Sequence, residues 1–143
     1  MRTASELTAS FRSHGLKVTP QRELVFRLLD GNTSHPTAES VFVKARETMS
    51  TISLKTVYQV LHDLQDQGEI QTLDLGTGAS RFDPNVEAHH HLLCVRCAAV
   101  HDVHADYPEV VVPFGERRGY TVHAADVVFR GICPTCAGGG TSQ

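Results

Sequence analysis

Two short cysteine pairs constrain this chain more than any other feature: Cys94-Val95-Arg96-Cys97 and Cys133-Pro134-Thr135-Cys136. The 143 residues hold 4 cysteines, and all of them lie in these C-x-x-C knuckles. Two knuckles can turn four thiolates onto one tetrahedral Zn²⁺, which obliges the last third of the chain to fold back on itself. Such a closed site has no open coordination position, so it holds a fold together and catalyses nothing. The competing readings are a redox dithiol or incidental cysteines. The N-terminus lacks the apolar stretch of a signal peptide and no apolar run approaches the ~20 residues of a membrane span. We therefore expect a cytoplasmic protein with no membrane association, a setting in which paired cysteines bind metal more often than they form disulfides.

Histidines gather in the same half, six of the 9 lying after position 88. His89-His90-His91 precedes the first knuckle, and His101-Asp102-Val103-His104 follows it. If the knuckle reverses the chain, His91 faces Asp102 and His89 faces His104. Alternate residues of a strand share a face, so His89, His91 and Asp102 converge while His90 and His101 point away. Two imidazoles and a carboxylate make half a site for a divalent transition metal; a solvated histidine-rich edge is the plainer alternative. Further donors could come from His35, beside Pro36, and from Asp83, although Asp83 before Pro84 also suits a turn.

Charge separates the halves. Residues 1–55 carry eight bases and five acids, whereas 56–82 carry one base and four acids and 83–143 four bases and seven acids. With a net charge of −3 the chain is no general polyanion binder, and any nucleic-acid surface belongs near its N-terminus. There the apolar period is helical. One helix is expected from Ser5 to His14 with Leu7, Phe11 and the following Leu16 inward, ended by Gly15. A second starts at Thr19-Pro20 with Leu24, Val25, Leu28 and Leu29 as its stripe. A third follows Thr37, with Val41, Phe42 and Ala45 inward, and a fourth, over 53–67, begins at Ser53 and buries Val57, Val60, Leu61 and Leu64. The period then becomes two, through Ile70–Leu75, a Gly76-Thr77-Gly78 turn and Ala79–Phe82, predicting a hairpin.

Short helices followed by a hairpin predict a winged helix, in which the last helix enters the major groove; a plain helical bundle is the alternative. On that helix Lys55 would meet phosphate, Thr56 and Tyr58 thymine methyls or backbone, and Gln59 a base edge, with Arg22 anchoring phosphate from the second helix.

In order, Gly15–Arg22, His35-Pro36-Thr37-Ala38-Glu39, Thr56-Val57-Tyr58, Arg81-Phe82-Asp83, His89–Cys94 and the two knuckles resemble the ferric-uptake-regulator (Fur) family. The resemblance runs from about residue 11 to Cys136. It implies an α+β protein: a winged helix-turn-helix DNA-binding domain over 1–82, a hinge at 83–88, an α/β dimerisation and metal-binding domain over 89–137, and a flexible tail at 138–143. It also implies a homodimeric repressor that binds an inverted-repeat operator in double-stranded DNA, with structural zinc on Cys94, Cys97, Cys133 and Cys136. The regulatory metal, Fe²⁺ or Mn²⁺, maps onto His35, Asp83, His89, His91 and Asp102. Aspartate at 83, where iron-uptake regulators have glutamate, resembles the peroxide-sensing (PerR-like) branch, as does Asp102. That branch would make His35 and His89 the oxidation-sensitive ligands. The alternative is an iron or other divalent-metal uptake regulator without peroxide sensing.

Some positions depart from the family. Pro108 and Pro113 interrupt the stretch where a dimer-domain helix belongs, so that helix should be short, starting after Pro113 or kinked there. Ala88 and Ala125 replace ligands of a further metal site, which His90, Glu109 and His123 could rebuild. An enzyme is not expected: a zinc deaminase would need H-x-E followed by P-C-x-x-C, and here the proline, Pro134, sits inside the knuckle. A thiol switch would need a reactive cysteine, whereas four thiolates on zinc are committed to it.

Overall fold

The computed structural model describes residues 1–105 and 111–138, in two compact units, Met1–Val86 and from Glu87 onward. The expected Glu109 and the proline at 108 lie outside the described residues, as does the tail beyond Gly138.

The first unit is built on four capped helices: α1 (Ala4–Ser13), α2 (Pro20–Leu29), α3 (Ala38–Thr48) and α4 (Leu54–Asp66). Each starts where a side-chain oxygen takes a backbone N–H that the helix leaves unpaired. Thr3 accepts from Glu6 N, Thr19 from Arg22 N, Thr37 from Ser40 N and Ser53 from Thr56 N. Pro20 opens α2 in the position where its missing N–H costs nothing. The apolar stripes meet in one core of Leu7, Phe11, Leu24, Val25, Phe26, Leu29, Val41, Ala45, Val57, Val60, Leu61, Leu64 and their neighbours. Leu28 and Phe42, expected inward, pack against this core partly buried, while Phe26 takes the centre of α2, fully buried and edge-on to Phe11 at 5.0 Å. Leu16 is 40% exposed, because the chain leaves α1 at Gly15 before Leu16 could continue the stripe. Phe42 is half-buried under the Arg46 guanidinium.

After Gly68 the chain forms a short antiparallel ribbon of β1 (Gln71–Leu73) and β2 (Arg81–Asp83), in the register Gln71 to Asp83 and Leu73 to Arg81. The strands are shorter than the alternating pattern suggests. Asp83, assigned from sequence to the hinge, is the last residue of β2.

The second unit is a three-stranded sheet in the order β4-β3-β5, from β3 (His90–Cys94), β4 (Val100–Val103) and β5 (Val128–Gly131). β3 and β4 are antiparallel with His91 opposite Asp102, the register expected from the knuckle; β3 and β5 are parallel. After Pro113 there is a single 3₁₀ turn, Phe114–Glu116, and α5 (Pro134–Ala137) starts at Cys133. Among the described residues no helix is long and apolar enough to cross a membrane.

Candidate metal centres and DNA-facing helix

The four cysteine sulfurs lie within 4.8 Å of one another. The first knuckle is the turn between β3 and β4, closed by Ala98 N donating to Cys94 O at 2.9 Å with Ala98 in a left-handed conformation. The second is the start of α5, where Cys133 caps the helix and its Sγ accepts from Cys136 N at 3.4 Å. The strand order brings the two together, since β5 runs alongside β3 with Gly131 paired to Cys94. Cys97 and Cys133 sulfurs are 3.8 Å apart, and Cys133 N donates to Cys94 Sγ at 3.3 Å. Backbone N–H bonds from Cys97 and Cys133 lower the Cys94 thiol to about 6, whereas hydrogen bonding to the Cys133 sulfur, followed by burial, pushes Cys136 up to about 12. Four clustered thiols resist losing all their protons unless a cation neutralises them, so the donor set fits zinc.

In the first unit His35 and Asp83 are buried side by side, His35 Nε2 to Asp83 Oδ2 at 3.3 Å. His35 adopts a left-handed backbone, φ 52°, immediately before Pro36. That costs of order 1 kcal/mol for a residue with a Cβ and persists where neighbours enforce it. Strand β2 supplies the enforcement: Arg81 Nη1 donates to His35 O at 3.1 Å and Phe82 N to Pro36 O at 2.9 Å. Asp83 divides its oxygens, Oδ1 accepting from Asn85 N at 2.9 Å while Oδ2 faces the imidazole. The turn reading of this aspartate is realised by the Asn85 bond, and its second oxygen stands beside His35.

In the second unit Asp102 Oδ1 meets His89 Nε2 at 3.1 Å and His91 Nε2 at 3.8 Å. His89 Nδ1 contacts the Glu87 carbonyl at 2.6 Å, and a carbonyl can only accept, so Nδ1 carries a proton. A neutral His89 then turns a lone pair from Nε2 onto a carboxylate oxygen. Only a proton or a metal cation reconciles those two acceptors, and a backbone carbonyl orienting a ligand imidazole is the usual support of a metal site. These donors fit a divalent cation. His90 points elsewhere, its Nδ1 accepting from Val127 N at 3.0 Å, and His104 stands with its ring 6.0 Å from that of His89. His101 and His123 are exposed.

On α4, Lys55 and Gln59 are exposed and the first turn carries no acid. Thr56 Oγ1 and Ser53 Oγ are 2.9 Å apart. The Tyr58 hydroxyl donates to Glu39 Oε1 at 2.8 Å, and that bond raises the phenol's pKa. Arg22 is placed otherwise than expected: its Nη2 is bound to Asp63 Oδ2 at 2.7 Å and its guanidinium lies over the Phe11 ring at 5.4 Å. An arginine so engaged is an intramolecular tie between α2 and α4 rather than a ready phosphate anchor.

A profile of the ferric uptake regulator family matches residues 13–129. This chain belongs to the ferric uptake regulator family. Family members are DNA-binding, dimeric transcriptional regulators, not enzymes. The peroxide-responsive repressor PerR of Staphylococcus epidermidis is 36% identical over 105 residues, covering 73% of this chain and 69% of the relative. Among solved structures, the Helicobacter pylori ferric uptake regulator, described with three functional metal binding sites, is alike in fold, with a TM-score of 0.72 at 24% identity over 93% of this chain and 90% of that one. The Francisella tularensis ferric uptake regulator, solved with iron, has a TM-score of 0.69 at 25% identity over 86% and 96% of the two chains.

For a ferric uptake regulator of this kind, the cysteine cluster fits structural zinc and the histidine and aspartate donors fit a regulatory metal. Sequence reasoning overlooked the supports of these donors. Arg81 and the Glu87 carbonyl hold His35 and His89, and neither residue type advertises that role. Asp63 was also overlooked, although its spacing of four from Gln59 on a helix was a usable signal.

Proposed function

We propose that this ferric uptake regulator is a cytoplasmic, homodimeric repressor whose grip on an inverted-repeat operator depends on one divalent ion, Fe²⁺ or Mn²⁺. In this reading His35 and Asp83 of the first unit and His89, His91 and Asp102 of the second serve the same ion, with the linker between the units as the hinge. The supporting observation is Asp102 Oδ1 facing two imidazole nitrogens, one of which is aimed by the Glu87 carbonyl. Each half-set alone offers fewer donors than an octahedral ion takes, which is why both are assigned to one cation. α4 is the reading helix, with Lys55 to phosphate and Thr56, Tyr58 and Gln59 to bases or backbone; Arg22 contributes through Asp63. The second unit leaves Leu92, Val95, Phe114, Tyr120 and Ile132 exposed, with Phe114 at 87%, an apolar surface suited to a second copy of the chain.

The PerR relative and the aspartate at 83 favour peroxide sensing over uptake control. Iron held there would supply the redox chemistry that activates a peroxide O–O bond, lending one electron and regaining it. The ligand imidazole, His35 or His89, would be the net two-electron reductant, exchanging a ring C–H for a C–O bond to one peroxide oxygen while the other oxygen leaves as water. An oxygenated imidazole is a poorer donor, so the ion is lost and the operator released.

Metal dependence is the test. Zinc-replete protein stripped of its second ion should bind operator at least tenfold more weakly than Mn²⁺-loaded protein, and Asp83→Ala should show no metal response while keeping its zinc and dimeric state. Equal affinity with and without Mn²⁺ would refute the proposal.

A further inference from the structure

We propose that Asp63 is a specificity-determining positioning residue: anchored by Arg22, it holds the Gln59 carboxamide in the one orientation that reads an adenine edge. The inference rests on α4 being the DNA-reading helix and goes beyond it by assigning how one side chain chooses its base.

Asp63 Oδ2 takes Arg22 Nη2 at 2.7 Å, and Asp63 Oδ1 takes Gln59 Nε2 at 3.1 Å. The Arg22–Asp63 pair is about four-fifths buried, with side-chain exposures of 20% and 24%, and the guanidinium rests on Phe11, which is fully buried. A chain of contacts thus runs from the core of the first unit to an exposed side chain on α4. Gln59 and Asp63 stand one turn apart on the same helix face, the spacing at which glutamine and aspartate pair.

The chemistry fixes which end of the amide faces outward. An ionised carboxylate only accepts, so the NH₂ group of Gln59 must lie toward Asp63. One N–H is spent there. The carbonyl oxygen and the second N–H remain, an acceptor beside a donor in a set order. Adenine presents the matching pair in the major groove, the N6 amine as donor and N7 as acceptor, whereas guanine presents two acceptors. Without Asp63 the carboxamide turns over freely, because its terminal torsion has two near-equivalent settings, and the order of donor and acceptor is lost. Asp63 therefore acts through Gln59 and need not touch DNA.

The measurement is base discrimination, not affinity, since removing a carboxylate from a DNA-facing helix changes affinity for every duplex. Mn²⁺-loaded, zinc-replete protein is used to select duplexes from a randomised pool, and the selected sequence is then varied base by base in competition binding. Wild-type protein should prefer adenine about tenfold at one position of each half-site, the discrimination of a bidentate side chain–base pair. Gln59→Ala should abolish that preference, Asp63→Ala should abolish it equally, and the double variant should lose nothing more at that position. If Asp63→Ala leaves Arg22 stranded and fails to fold, Arg22→Met combined with Asp63→Leu removes both charges and answers the same question. An adenine preference that survives loss of Asp63 but not of Gln59 overturns the proposal, as does the absence of any Gln59-dependent adenine. A wild-type selection that recovers no sequence, or one unchanged by Lys55→Ala, Thr56→Ala and Gln59→Ala alike, instead removes the reading role of α4.

Discussion

Glu69 shows how a single buried acid is made tolerable in this chain. It follows Gly68 at the end of α4 and is 8% exposed, yet it is not neutralised. Burial pushes its carboxyl up, but hydrogen bonds from the Arg2 backbone N–H at 3.0 Å and from Arg2 Nε at 2.6 Å, with the guanidinium charge, outweigh that and leave the pKa lowered. A carboxyl lowered in the folded state stabilises above its unfolded value, near 4.3, and that contribution disappears as pH falls through the folded value. Glu69→Gln should therefore cost about 1 kcal/mol in denaturant unfolding at neutral pH, a figure reduced because Arg2 is half exposed. As pH falls below the folded value, the variant and the parent should converge on the same denaturant midpoint; a difference undiminished down to acid unfolding would disprove the linkage. At this scale the sequence was legible where strand geometry governs. The register pairing His91 with Asp102 followed from the knuckle, and it separated His89 and His91 from His90. Contacts between residues distant in sequence were not legible, because no periodicity couples Arg22 to Asp63 or Arg81 to the carbonyl of His35.

The elements divide into those that hold themselves and those that need a metal. α1 to α4 are capped by Thr3, Thr19, Thr37 and Ser53 and bury a common apolar core; the starts of α2, α3 and α4 could be read at Thr19, Thr37 and Ser53, whereas α1, expected from Ser5, begins at Ala4 behind Thr3. Their buried faces were read less well at Phe26, since the adjacent apolar residues in Leu24-Val25-Phe26 leave the phase of the stripe open until Phe11 packs against it. The stretch after Pro113 was legible for a different reason: proline limits the helix, and only one 3₁₀ turn forms. β3, β4 and β5 are strands of four or five residues, and among the described residues of the second unit only Leu93, Cys94 and Val100 are buried apolar side chains. Such a small core does not by itself offset the ordering entropy of three strands; on the zinc reading, thiolate–zinc bonds joining the β3–β4 turn to α5 would contribute to the difference, beside the apolar surface proposed to meet a second copy. Zinc removal by a strong chelator, or Cys136→Ser, should collapse strand-derived amide protection in the second unit while the helical circular-dichroism signal of the first persists. Retention of exchange protection in β3 after zinc loss would show that the sheet stands without its metal.

For the whole molecule, the donor set determines what kind of signal the regulator can register. A ligand coupled to DNA binding shifts the equilibrium only by the difference in its affinity for the two states, so anything that spoils one donor must also weaken the hold on DNA. His89 is well suited to be spoiled: its Nε2 lies 3.1 Å from Asp102, where the cation is assigned, and its Nδ1 is spent on a carbonyl. An oxygen added to that ring would remove one of the assigned donors, and the same holds for His35, whose carbonyl is held by Arg81 and whose backbone sits at φ 52°. On the proposed reading the four cysteines are donors to a structural ion, and their oxidation would act on the fold of the second unit rather than on the regulatory ion. Peroxide treatment of Fe²⁺-loaded protein should therefore add one oxygen to His35 or His89, seen by peptide mass spectrometry, and release operator in proportion to the modified fraction. Mn²⁺-loaded protein treated identically should keep both histidines unmodified and stay bound, because manganese does not give up the electron that the O–O cleavage needs. If the iron-loaded protein keeps unmodified histidines yet binds operator only with metal, the molecule is a metal-uptake regulator. If the cysteines oxidise first and operator release follows their loss, the sensing assignment moves to the zinc site. His89 and Cys94 share the stretch between Arg81 and Arg96, so fragment-ion localisation within that peptide, together with the separate peptide that carries His35, decides among the three after one exposure.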